Sequence, residues 1–162
     1  MKPAIFSLSL ALAGCAAAPA TVDPPTAGVA ETIRYETSRC FGVCPVYVLT
    51  VSSNGRGTFD GRDFTAVKGV QPFTLGRAEF AAFARRLARY RPEGERLVTE
   101  PNCGGMTATD LPGVDIRWSG KGPDSHLVAY YGCDMEGNRE MFDALKAAPD
   151  ALPQVQTMIG PR

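Results

Sequence analysis

The sequence predicts one α+β domain, a largely antiparallel sheet with two main helices, preceded by an export signal and a flexible tether. Three observations predict it. Short runs of β-branched and aromatic residues lie either side of an Asn-Gly turn signal. One segment repeats its apolar residues at helical spacing. The order strands, helix, strands, helix is that of α+β chains and not of an alternating βα chain.

Taken in order, Thr32–Thr37 alternates with Ile33 and Tyr35 on one face and reads as a strand. Cys40–Pro45 forms a tight turn, and Val46–Ser52 (VYVLTVS) is a strong strand. Asn54-Gly55 turns the chain into a partner strand at Gly57–Gly61, with a further short strand at Phe64–Val67. Arg77–Tyr90 is the clearest helix: Phe80, Phe83, Ala84, Leu87 and Tyr90 share a face, and Arg85, Arg86 and Arg89 fill the other. Thr74 is its candidate N-cap, and Pro92 stops it. Residues 91–113, rich in Gly, Pro and polar residues, read as one long loop. Val114–Trp118 and His126–Tyr131 are two more strands, followed by helices at Gly137–Ala148 and Leu152–Ile159.

The N-terminus carries an address. Residues 1–14 have a positive start at Lys2 and an apolar run from Ile5 to Leu12, too short to span a bilayer, which needs about 20 apolar residues. The segment ends Leu12-Ala13-Gly14-Cys15, which matches the lipobox of bacterial lipoproteins. A thiol is needed there to take the diacylglyceryl group, and small residues before it admit the peptidase. Cys15 is thus expected to be the lipid-carrying first residue of the mature protein, whose several acyl chains make a stable anchor. Ala16 in the next position, by resemblance to Gram-negative lipoproteins, favours the outer membrane, facing the periplasm. Residues 15–31 read as a lipidated end and flexible linker, because Ala, Pro and Thr dominate and no aromatic residue occurs. The folded domain is expected over 32–160.

Seventeen Lys and Arg balance seventeen Asp and Glu, which argues against nucleic acid or another polyanion as partner. The expected partners are the membrane, through the lipid on Cys15, and an envelope component. No cofactor is implied.

Beyond Cys15 lie four cysteines, Cys40, Cys44, Cys103 and Cys133. In an oxidising compartment an even count implies two disulfides, and four cysteines allow three pairings. Spacing favours Cys40–Cys44, bent at Gly42, and Cys103–Cys133, which flanks two predicted strands. Loop closure assigns about 2 kcal/mol to the short ring and about 4 kcal/mol to the long one.

The run Cys40-Phe41-Gly42-Val43-Cys44-Pro45-Val46-Tyr47, followed by a strand and Asn54-Gly55, resembles the DUF6438 family, a bacterial domain of unknown function. Gly61, Gly69 and Thr109-Asp110-Leu111-Pro112 extend the likeness to roughly residues 32–160. The resemblance implies a fold and exported or lipid-anchored members. It implies no catalytic residue.

Other patterns carry less. Cys40-x-x-x-Cys44-Pro45 looks like the copper-binding motif of Sco-type delivery proteins, and His126 would have to complete a Cu(I) site. That motif feeds a helix in a thioredoxin-like fold, whereas here it feeds a strand, so a structural disulfide is favoured. His126, the only histidine, has no G-x-S-x-G elbow to work with and reads as a strand-edge residue beside a turn. Asn102-Cys103-Gly104-Gly105 lacks the Lys of a phosphate loop. Asp110, Asp115, Asp134 and Glu136 lack EF-hand spacing. Of the consecutive Tyr130 and Tyr131, one must face outward, a hint of a binding surface. The leading expectation is a non-enzymatic, lipid-anchored envelope protein that binds a partner or supports the cell surface. The alternative is a periplasmic thiol-redox or copper protein using Cys40 and Cys44.

Overall fold

Strand β1 (Thr32–Thr37) alternates apolar and polar residues, so its two faces are unlike, and a strand is built on each of its edges. The computed structural model describes residues 29–161. The signal segment 1–14, Cys15 and the linker as far as residue 28 lie outside the described residues. The other strands are β2 (Val46–Ser52), β3 (Arg56–Asp63), β4 (Gly69–Thr74), β5 (Glu95–Val98), β6 (Gly113–Ser119) and β7 (Ser125–Tyr130). Three helices, α1 (Arg77–Ala88), α2 (Arg139–Ala147) and α3 (Pro153–Ile159), accompany them. One sheet runs in the order β4-β3-β2-β1-β6-β7-β5, antiparallel except where β5 lies parallel to β7. The expected α+β class is the class observed.

Register decides which side chains share a face. Phe59, Leu49, Tyr35, Ile116 and Leu127 stand opposite one another across five strands, as do Val51, Ile33 and Trp118 across three. These rows are buried against Phe80, Phe83 and Leu87 of α1, Met141, Phe142 and Leu145 of α2, and Val155 and Ile159 of α3. Fully burying such a side chain contributes about 1.5–3 kcal/mol. The Tyr35 hydroxyl donates to the Leu145 carbonyl at 3.0 Å and ties the central strand to α2.

Four expectations need correction. The strand placed at Phe64–Val67 is a turn: Phe64 has a φ of 51°, and the backbone N–H groups of Ala66 and Val67 donate to Ile159 and Met158. The fourth strand begins instead at Gly69 and carries Pro72, tolerated on an edge. Thr74 ends that strand and caps nothing. Gly76 is the N-cap, with its N–H held by the Glu79 side chain. Residues 91–113 are not all loop, because Glu95–Val98 forms the second edge strand. Helix α1 stops at Ala88, two residues before Tyr90.

At Gly61 an added Cβ would lie 2.0 Å from the Val67 carbonyl oxygen, a backbone atom that cannot step aside. Gly61→Ala should therefore destabilise the fold by about 1–3 kcal/mol in denaturant titration. A change below about 0.5 kcal/mol would show that the β3–β4 turn is not packed as described.

Candidate functional site on the open sheet face

The helices cover one face of the sheet only, and the strand period of two sends the remaining side chains to the other. That open face carries two rows. Asp60, Val48, Glu36, Asp115, Val128 and Leu97 form one, and Thr58, Thr50, Arg34, Arg117, His126 and Glu95 the other. Arg34 stands opposite Arg117, and Glu36 opposite Asp115. Like charges opposed across strands repel. Each is offset along its own strand, by Arg34–Glu36 on β1 and Arg117–Asp115 on β6.

A β-bulge organises one side. The register shift at Val46/Tyr47 leaves Arg62 between two strand pairs. Its guanidinium reaches over β2 to Glu36 and also meets Asp60 at 3.3 Å. Val48, the strand partner of both acids, is 9% exposed although it lies on the open face.

On the other side His126 sits between two carboxylates. Its Nδ1 is 2.8 Å from Glu95 and its Nε2 is 3.1 Å from Asp115. Only the imidazolium form fills both contacts as donor. Arg117 donates twice more to Asp115, at 3.1 and 3.2 Å. Burial pushes the Asp115 carboxyl upward, but the hydrogen bonds and charges of His126 and Arg117 outweigh it and hold it below the ordinary value. Strand β5 covers β7, so His126 is not at a sheet edge. It lies near Gly94, Ser119 and Asp124, whereas Cys44 lies near Pro112 and Tyr131, at the opposite ends of β6 and β7. Asp110, Asp115, Asp134 and Glu136 are not brought together: among the described residues no three His, Cys, Asp or Glu converge as a metal site.

Where β1 and β7 end, the open face deepens into a cleft of about 690 Å³. Val46, Val114 and Val128 line it, with hydroxyls from Thr37, Ser38, Thr99, Thr107, Thr109 and Tyr130. Tyr130 is the outward member of the tyrosine pair. Its hydroxyl donates to the Ala108 carbonyl and accepts from the Leu111 N–H, pinning the loop that forms one wall. Cys103 and Cys133 lie at disulfide distance, Cα–Cα 5.1 Å, and fasten that loop to the end of β7. Thr107 bridges Cys133, and Asp134 donates to Met106.

Cys40 and Cys44 are likewise at disulfide distance, Cα–Cα 5.8 Å, at the same end of the sheet. The Thr37 hydroxyl donates to the Pro45 carbonyl and accepts from the Tyr47 N–H, closing the stem of this small ring. Phe41 and Val43 stand 89% and 77% exposed on it. Sequence reasoning missed Glu36, Arg62 and the cleft threonines. The signal for the first two was the period-two spacing of Arg34 with Glu36 and of Asp60 with Arg62.

The Asp115 carboxyl, lower when folded than its unfolded value of about 3.9, contributes stability in full above that value. The contribution is lost as pH falls through the folded value. Asp115→Asn should cost about 1 kcal/mol at neutral pH, a modest figure for a partly solvated group. The gap from wild type should close below about pH 4. An equal cost at neutral and strongly acidic pH would contradict the network.

A family described as Domain of unknown function (DUF6438) matches residues 31–153, which takes in every strand, α1 and α2. No curated protein matches the chain. Since the match spans well over half of the sequence, the chain belongs to the DUF6438 family.

Proposed function

We propose that this protein is a lipid-anchored component of the bacterial cell envelope, held by a lipid on Cys15, that binds an envelope partner through its open sheet face. The observation that carries the reading is the placement of the cleft relative to the chain's entry. Val29 and Ala30 lie beside Ser53–Asn54 and Gly120–Gly122, at the start of β1. Arg91 secures this end, pairing with Glu31 at 2.8 Å and donating to Ser125 and the Pro123 carbonyl. The cleft and the Cys40–Cys44 ring occupy the other end of the strand. A lipid at Cys15, on a linker of roughly 50 Å at full extension, would join the domain at the end of β1 opposite the cleft and leave the cleft clear of the attachment point. Glu36, Arg62 and Asp115 in the cleft wall are already paired, and Thr, Ser and Tyr residues line the open cavity, which suits recognition of a polar partner better than turnover.

The exposed ring favours a second reading, a thiol-redox or copper-binding role for Cys40 and Cys44, because the three residues between these half-buried cysteines are all exposed. Expression in a Gram-negative host separates these. The intact chain should fractionate with membranes and carry acyl groups on Cys15, and Cys15→Ser should become soluble. A photo-reactive residue at Thr99 or Thr109 should cross-link to an envelope component, while one at Asn54 should not. Soluble, unacylated wild type, or equal cross-linking from Asn54, would overturn the proposal. Cys40 and Cys44 found as free thiols on alkylation without reductant would bring the second reading forward.

A further inference from the structure

The Cys40–Cys44 ring holds an aromatic side chain in water. Phe41 is more exposed than any other large hydrophobic among the described residues, and Val43 stands beside it. The backbone beneath them is fixed. The cysteine pair closes the ring, the Thr37 hydroxyl closes its stem, and the Phe41 N–H donates to the Asp110 carbonyl at 3.0 Å. An apolar side chain on so fixed a backbone loses little further freedom on binding, which is what an interface anchor requires.

The same end of the sheet has a hole. A cavity of about 240 Å³ lies beside Cys44 and Pro45, and shares Thr37 and Gly113 with the margin of the cleft. The polar groups of its tyrosines are met within the protein. The Tyr131 hydroxyl has the Tyr35 hydroxyl as its hydrogen-bond partner, and Tyr35 donates onward to the Leu145 carbonyl. What remains is an apolar lining that includes Pro45, Pro112 and Ile159, with Lys146 as its one charged residue. At about 30 Å³ per water-sized group the space holds roughly eight non-hydrogen atoms, the size of a benzyl group.

Charge follows the same division. Asp110, bound through its carbonyl to Phe41, is exposed and in no ion pair among the described residues. Lys146, at the hole, is likewise exposed and without an ion pair there, its ammonium 4.7 Å from the centre of the Tyr131 ring. Knob with acid and hole with base are complementary, and every copy of the chain carries both.

We propose that two copies of this chain associate about a two-fold axis at this end, the Phe41 ring of each seated between Pro112 and Ile159 of the other, and Asp110 of each facing the other's Lys146. A patch that carries both halves of a contact is self-complementary, and a two-fold axis uses it twice and closes the assembly. Two such contacts, with Val43 at each, bury roughly 1,000 Å² in total, the low end for a specific interface, so the dissociation constant is expected on the order of 10 μM. The dimer does not depend on lipid anchoring or on an envelope partner.

Sedimentation velocity of the purified full chain in detergent, from about 1 to 200 μM, should show a reversible monomer–dimer equilibrium. Phe41→Ser changes an exposed residue, should stay folded, and should weaken the dimer at least about tenfold. Asp110→Asn, a residue that suits the positive φ there, and Lys146→Gln should each weaken it about threefold, and the double variant no further than either. A photo-reactive phenylalanine analogue at Phe41 should give an adduct of dimer mass on a peptide holding Pro112 or Ile159. A monomer at every concentration overturns the dimer, and a dimer that Phe41→Ser leaves unchanged overturns the knob. An adduct elsewhere on the chain overturns the hole. Independent, multiplying effects of the two charge variants overturn the pairing of Asp110 with Lys146.

Discussion

The whole sheet hangs on β1. It alone bonds both to the meander β2-β3-β4 and to the later unit β6-β7-β5, so two sequence-distant halves become one sheet only through its six residues. Because strand side chains alternate, a slip of one residue would drive Arg34 and Glu36 into the core and expel Ile33 and Tyr35. The register is held by apolar rows packed against helices on one side and by charge pairs on the other. Tyr35 adds a hydrogen bond to α2 that no other register could make.

The same alternation produces the candidate site. Once β1 places Glu36 and Arg34 on the open face, β3 and β6 must complement them or repel them. Arg62 solves this with a bulge, gaining reach over β2 to join Glu36 and Asp60, the two strand partners of Val48. Asp115 joins Arg117 on its own strand and His126 on the next. The face is thus closely paired along its middle and deepens into the cleft at the end where the strands give way to the loops fastened by the two cysteine pairs.

Much of this fold was legible in the sequence. Runs such as VYVLTVS and the Phe80-Phe83-Leu87 stripe state their own structure, because burial on one face leaves a period that can be read. What escaped was structure without a period. Glu95–Val98 is four residues, mostly exposed, made a strand by β7 beside it and not by its own composition. Phe64–Val67 looks like a strand by residue type, but a left-handed Phe64 and the docking of α3 make it a turn. For the site, the residue types were visible and their meeting was not. His126 is one histidine in the sequence, and only the neighbouring positions of β5 and β6 put Glu95 and Asp115 on its two nitrogens. The surroundings of Tyr131 were likewise hidden, because they are assembled from β1, α2, α3 and the turn before β6.

The two ends of the sheet have different tasks. One receives the chain from its linker and is closed by Arg91 against Glu31, with Trp118 beneath the guanidinium. The other carries the loops with Cys40, Cys44, Cys103 and Cys133, the large cleft and the tyrosine-lined cavity. Both rely on β1 as an unbroken beam between them. Native-state hydrogen exchange tests that dependence most directly. If β1 joins the halves, its amides and those facing them on β2 and β6 will exchange only with global unfolding, at one common free energy. If the β1–β6 amides open at markedly lower free energy than the β2–β3 amides, the halves separate independently, and the account built on β1 is wrong.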